Sequence, residues 1–218
     1  MTTPAQPQQT HIYRIVHVDC LPTLLKRGAL HAPNFTPTDG LPYRLIHDAS
    51  VQANRRVKQV PCGPRGTVHD YVPFYFGARS VMLLKLKSGQ VAGYSEGQAP
   101  LIYLISTAQT IEAAGNGFAF TDGHGLANFT SWFDDLARLD AIDWPLLSSQ
   151  YWNDTPQDND RQRRKQAEFL VHQSVDWNLI GAIRVFNFDM KTRVEGILKA
   201  YPQRKQIEVK VSPGLYYS

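Results

Sequence analysis

A carboxylate occupies a position where a strand should be apolar. Glu168 lies inside Ala167-Glu168-Phe169-Leu170-Val171, within a strand expected over residues 166–172. Such a carboxylate is partly desolvated, which costs free energy unless the group is paired or put to use. The commoner outcome is an ion pair with an arginine on the sheet. Two basic clusters stand elsewhere in the chain: Arg55, Arg56 and Lys58, then Arg161, Arg163, Arg164 and Lys165. A basic run is most often a solvated face, but the guanidinium fork also matches a phosphate. His17 ends the first expected strand, where a histidine is more often a hydrogen-bonded rim residue than a catalyst. His124 stands in the glycine-flanked turn Thr121-Asp122-Gly123-His124-Gly125. Tyr71 and Tyr75 belong to the aromatic run Asp70-Tyr71-Val72-Pro73-Phe74-Tyr75-Phe76, which is core material and also suits the wall of a ring-binding pocket. Tyr151 and Trp152 precede the second basic cluster, and aromatics beside cations suit a single-stranded nucleic acid.

The elements that must position these groups are read from periodicity and punctuation. Residues 12–17, 71–76, 82–86, 101–105, 166–172, 182–188 and 207–211 are expected as strands. A short helix capped by Asp19 is expected to end at Gly28, and another to span 107–114. A third runs from Asp122 or His124 through Leu136, and a fourth, capped by Asp189, carries Val194, Ile197 and Leu198. Residues 43–57 suggest a polar helix whose weak apolar face fits a lid. Residues 32–41, 60–66 and 144–161 read as loops, the last long enough to be functional. Strands are many and do not alternate regularly with helices, so the class is α+β with largely antiparallel sheets. No GxGxxG or P-loop is present, so any nucleotide is held by other means.

The chain has 218 residues, a net charge of +4 and two cysteines. That permits a sizeable core and a nucleic-acid partner, and suggests neither a disulfide framework nor a zinc site. Residues 1–10 are polar and expected to be disordered, with a single domain over 11–218. No stretch resembles a signal peptide or a membrane span, so a cytoplasmic location is the default.

Five segments, taken in order, resemble the DarT family of bacterial toxins that ADP-ribosylate DNA. They are Tyr13-Arg14-Ile15-Val16-His17-Val18-Asp19-Cys20-Leu21; Asp70 to Phe76 followed by Arg79-Ser80-Val81-Met82-Leu83; Phe120-Thr121-Asp122-Gly123-His124; Ile142-Asp143-Trp144; and Arg163-Arg164-Lys165-Gln166-Ala167-Glu168-Phe169-Leu170-Val171. The resemblance implies an ADP-ribosyltransferase-like split antiparallel β core with peripheral helices, clamping NAD as substrate without a metal. It implies a base in single-stranded DNA, thymine by the aromatic signature, as acceptor, and a cognate antitoxin with ADP-ribosyl-hydrolase activity. It makes Glu168 and Arg55 catalytic. His17, Arg14, Arg55, Arg56, Tyr71 and Tyr75 are assigned to NAD, with Arg55 before Arg56 on its phosphates. His124, Tyr151, Trp152, Arg163, Arg164 and Arg79 are assigned to DNA. Arg14 and Cys20 depart from the residues many relatives carry there, His and Asn. The rival readings are a protein ADP-ribosyltransferase on the same fold, an NAD hydrolase, and a non-enzymatic nucleic-acid-binding module.

Overall fold

The computed structural model describes residues 9–218. An eight-stranded sheet runs in the order β10-β9-β4-β1-β3-β7-β5-β6. Its strands are β1 (His11–His17), β3 (Tyr71–Tyr75), β4 (Leu101–Thr107), β5 (Phe118–Thr121), β6 (Trp132–Phe133), β7 (Glu168–His172), β9 (Ala182–Val185) and β10 (Val209–Val211). Neighbours are antiparallel except β10 and β9, which run parallel at one edge. A second sheet pairs β2 (Ala29–His31) with β8 (Ser174–Asp176). The helices are α1 (Leu21–Arg27), α2 (Ala49–Val57), α3 (Val81–Lys87), α4 (Ala108–Ala113), α5 (Trp144–Ser148), α6 (Arg161–Arg164) and α7 (Phe188–Lys199).

The large sheet is split between β1 and β3. β1 pairs with β4 along its whole length and β3 with β7 along its whole length, yet β1 and β3 share only the register pair Tyr13–Tyr75. Pro73 explains the break. Its carbonyl accepts from Arg14 Nη1 of β1 at 3.1 Å. In a strand the N–H and C=O of one residue point the same way, so the missing N–H of Pro73 also faces β1. A ladder bond is lost there, and the two half-sheets diverge.

The main core fills one face of the sheet, beneath α1, α4 and α7. A second cluster, built on Ile15, Leu83, Leu86, Tyr103 and Tyr216, fills part of the other. Burying side chains of this size stabilises the fold by about 1.5–3 kcal/mol each.

Several expectations shift. Residues 82–86 form helix α3, not a strand. Ser80 caps it by accepting from the Leu83 amide, and Leu83 and Leu86, three apart, face the core. A run of only a few apolar residues shows no period, so the cap decides. Of 43–57, only Ala49–Val57 is helical, started by Asp48 accepting from the Ser50 and Val51 amides. The helix expected from Asp122 or His124 through Leu136 is a loop followed by β6 and a 3₁₀ turn. The expected loop 144–161 contains α5, capped by Asp143. Asn187, not Asp189, caps α7. Residues 1–8 of the expected disordered start lie outside the described residues, but Thr10 is anchored. Its N–H donates to Gln109 Oε1 and its carbonyl accepts from the Ala108 amide, both at 2.9 Å.

Candidate active site

A cleft of about 660 Å³ opens at the split. Arg14, Ile15 and Val16 of β1 form one wall; Tyr71, Pro73 and Tyr75 of β3 and Glu168 of β7 form another; α2 closes over them with Arg55 and Arg56. Glu168 is the first residue of β7, directly across the ladder from Tyr75. It is only 2% exposed. Its backbone N–H donates to Thr121 Oγ1 at 3.1 Å, which ties the start of β7 to the end of β5.

Arg55 reaches Glu168 from α2. Its Nη1 donates to Oε1 at 3.0 Å and its Nη2 to Oε2 at 2.8 Å, a bidentate pair between buried groups. The Gly125 amide donates to the same Oε1 at 3.3 Å. Burial is the largest single influence on Glu168 and opposes its charge. The Arg55 charge and hydrogen bonds, helped by His124 and the Gly125 amide, outweigh it and hold the carboxyl below its ordinary range. Glu168 is therefore ionised at neutral pH despite its burial. Tyr75 beside it is pushed up to about 12, by burial first and then by the Glu168 charge. His124 also lines the cleft. Burial lowers its pKa, against the pull of Glu168, so its ring is neutral at pH 7.

The remaining predicted residues divide. Arg14, Arg56, Tyr71 and Tyr75 all face the cleft. Arg14 donates its Nη1 to the Pro73 carbonyl, and its Nε is buried with no partner among the described residues. Tyr71 is fully buried and donates its hydroxyl to the Arg65 carbonyl, so it supports the wall rather than presenting a hydroxyl to the cleft. His17 is buried outside the set of lining residues. Its Nδ1 accepts from the Asp19 amide and its Nε2 lies 3.4 Å from Glu96.

On the DNA side, Trp152 corrects the expectation of a stacking face. It is 7% exposed, packed with Val81 and Leu146, and its indole donates to Tyr217 Oη. Its apolar surface wins the core and leaves the neighbouring Tyr151 out, 82% exposed. Arg163 and Arg164 are committed internally. Arg163 forks onto Asp160 and reaches Asp122, while Arg164 pairs with Asp143 and Asp158. A DNA phosphate contacting either one has to compete with a carboxylate of this chain. Arg79 sits at a positive φ of 53° on the turn after β3 and donates to the Ser148 carbonyl.

Sequence reasoning missed His47, His69, Gln52 and Lys85, which also line the cleft. His69 Nε2 meets Gln52 Oε1 at 3.1 Å and pins α2 one turn before Arg55. The Gly125 amide was likewise unforeseen. The signal for His47 and Gln52 was the polar 43–57 segment itself, already a lid by pattern. Among the described residues no group of three or more His, Cys, Asp or Glu could hold a metal ion, and no helix is long and apolar enough to cross a membrane.

This arrangement holds a charged carboxylate and a guanidinium at the base of a cleft large enough for a dinucleotide, with further cationic and neutral imidazole groups around it. Comparison with known proteins agrees. A protein of Thermus sp. (strain 2.9) named DNA ADP-ribosyl transferase is 39% identical over 211 residues, covering 97% of this chain and 98% of that one. Two structures of Thermus sp. 2.9 DarT superpose on this fold. The one in complex with ADP-ribosylated ssDNA has a TM-score of 0.92 at 38% identity and covers 99% and 100% of the two chains. The one in complex with NAD+ has a TM-score of 0.87 at 37% identity and covers 98% and 100%. The profile described as "DarT: ssDNA thymidine ADP-ribosyltransferase" matches residues 13–217, and the chain belongs to that family.

Proposed function

We propose that this NAD-dependent DNA ADP-ribosyltransferase transfers ADP-ribose to thymine in single-stranded DNA with Glu168 as its catalytic carboxylate. The observation that carries the assignment is the ionised, nearly inaccessible Glu168 at the base of the split-sheet cleft. Transfer breaks the bond between ribose and nicotinamide. Nicotinamide leaves with the electron pair, and positive charge spreads over the sugar. A fixed carboxylate that accepts from the 2′-hydroxyl stabilises that charge, an effect worth about 3–4 kcal/mol for one preorganised group. The acceptor is a ring nitrogen of thymine, which gives up its proton as the new glycosidic bond forms. Glu168 is the base, and neutral His124 on the same cleft assists.

Arg55 has two parts in this reading. It keeps Glu168 ionised, and a guanidinium has five N–H donors, so those that Glu168 does not take are left for the NAD phosphates. Arg56 and Arg14, both on the cleft wall, complete the anion site. His17 shapes the end of β1 under the donor. On the acceptor side, Tyr151 offers an exposed ring and Arg79 a cation at the rim. Single-stranded substrate avoids the cost of unpairing the target base. The reaction places the enzyme where NAD and DNA meet, in the cytoplasm, as the toxin of a pair. Its partner is an antitoxin that hydrolyses the ribose–base bond.

The test is incubation with NAD and short oligonucleotides of varied sequence, followed by mass spectrometry. One ADP-ribose adduct on a thymine is expected, absent with Glu168→Gln. A label from radioactive NAD that is removed by protease and not by nuclease would instead make the acceptor a protein. Nicotinamide release without any adduct would make the chain an NAD hydrolase.

A further inference from the structure

The loop between β5 and β6 is pinned at many points. The His124 amide donates to the Arg163 carbonyl, and the His124 carbonyl accepts from the Ala127 amide and from Thr130 Oγ1. The Ser131 amide donates to Asp122, and Arg163 Nη1 reaches both Asp122 and Thr130 Oγ1. A Cβ on Gly123 would collide with the Arg163 guanidinium, so only glycine allows this approach. Yet this anchored loop holds Phe129 73% exposed. The Arg163 guanidinium lies over the Phe129 ring, 5.3 Å from its centroid. One face of the ring is thus fixed by a cation that is itself held by Asp160 and Asp122, and the rest meets solvent.

A mobile loop tolerates an exposed phenylalanine by folding it away. This loop is braced so that the ring stays out, and the same loop delivers the Gly125 amide to Glu168 and His124 to the cleft. We infer that Phe129 is a stacking platform for a base of the single strand next to the target nucleotide. An unpaired base exposes a π-face to any fixed aromatic ring, and the guanidinium behind Phe129 sets the ring's plane. Arg163 therefore acts on DNA through the ring it holds. The inference rests on the DNA-modifying reading above and adds a residue that fixes how the strand crosses the rim.

The experiment compares wild type with Phe129→Ala, Phe129→Leu and Phe129→Trp at saturating NAD, varying a thymine-containing oligonucleotide. Phe129→Ala should raise KM for the oligonucleotide about tenfold, with kcat within twofold and KM for NAD unchanged. Phe129→Trp should restore KM. Phe129→Leu, which keeps apolar bulk but loses the π-face, should not. In parallel, 2-aminopurine placed beside the target thymine should be quenched by wild type and Phe129→Trp but not by Phe129→Ala. An alanine variant with wild-type KM and quenching, or full rescue by leucine, overturns the stacking role and leaves the enzyme's activity standing. A wild-type protein that neither labels nor quenches the oligonucleotide overturns the role together with the DNA reading beneath it.

Discussion

Two arginine-rich segments of similar composition have opposite fates in this fold. In α2, Arg55 points inward to a single carboxylate at the base of an open cleft, and Arg56 lines the same space. In α6 and just after it, every cation is absorbed by the chain. Arg161 donates to the Tyr151 and Asn153 carbonyls, Arg163 and Arg164 hold four aspartates between them, and buried Lys165 donates to the carbonyls of Leu146, Leu147 and Ser149. The second cluster is a scaffold that fixes the loops around the site and leads straight into Glu168. The difference shows that positive charge in a sequence marks a binding surface only where no acidic partner or row of carbonyls reaches it first.

The sharpest way to break this contrast is Glu168→Gln. It keeps the size and one acceptor for Arg55, and it should cut kcat by about 10²–10³ with the fold intact. Near-normal turnover would make the Arg55–Glu168 pair as structural as those of α6. Arg55→Ala is expected to cost about 3–5 kcal/mol of stability, because it leaves a buried charge unpaired. Without Arg55, burial dominates and the Glu168 pKa rises, so the acid limb of the rate profile should move to higher pH. Wild-type Glu168 has a depressed folded pKa. Its contribution to stability is present above the ordinary carboxylate range and disappears as pH falls through that lower value.

On the scaffold side, Lys165→Met should cost about 3 kcal/mol, a fall in Tm of roughly 6–12 °C, with KM for NAD unchanged. A change in NAD affinity at equal stability would move Lys165 into the site. A finer discrimination uses pH. His124 is shifted below 6.5, so an acid limb that depends on it should lie under pH 6.5 and vanish in His124→Ala. The smallest expected effect is on salt dependence. Arg164→Ala should leave the slope of log KM for the oligonucleotide against log salt unchanged. A loss of about 0.7 in that slope would put Arg164 on a phosphate after all.

The strands that frame the cleft were legible in the sequence, because β1, β3 and β7 are dense in branched and aromatic residues. Glu168 was legible as an anomaly, the one charge in an apolar strand. Its partner was not: Arg55 is 113 positions away, and no local pattern links them. α3 escaped because its apolar run is too short to reveal a period. Trp152 and Tyr151 were indistinguishable as neighbours in a polar segment, and only the pocket formed by Val81 and Leu146 separates them. The commitment of the second basic cluster was partly readable, since Asp160 stands three and four positions before Arg163 and Arg164. The contributions of Asp122 and Asp143 come from distant loops and required the fold.

Pro73 carries a consequence for how this molecule tolerates change. Most residues placed in the middle of a sheet would strengthen it, and a valine at this position would supply the donor the ladder lacks. That improvement would let β1 and β3 zip together over the space a dinucleotide needs. Selection for a sturdier sheet and selection for a working enzyme thus pull in opposite directions at one position, and the imperfect strand is the one that leaves a door.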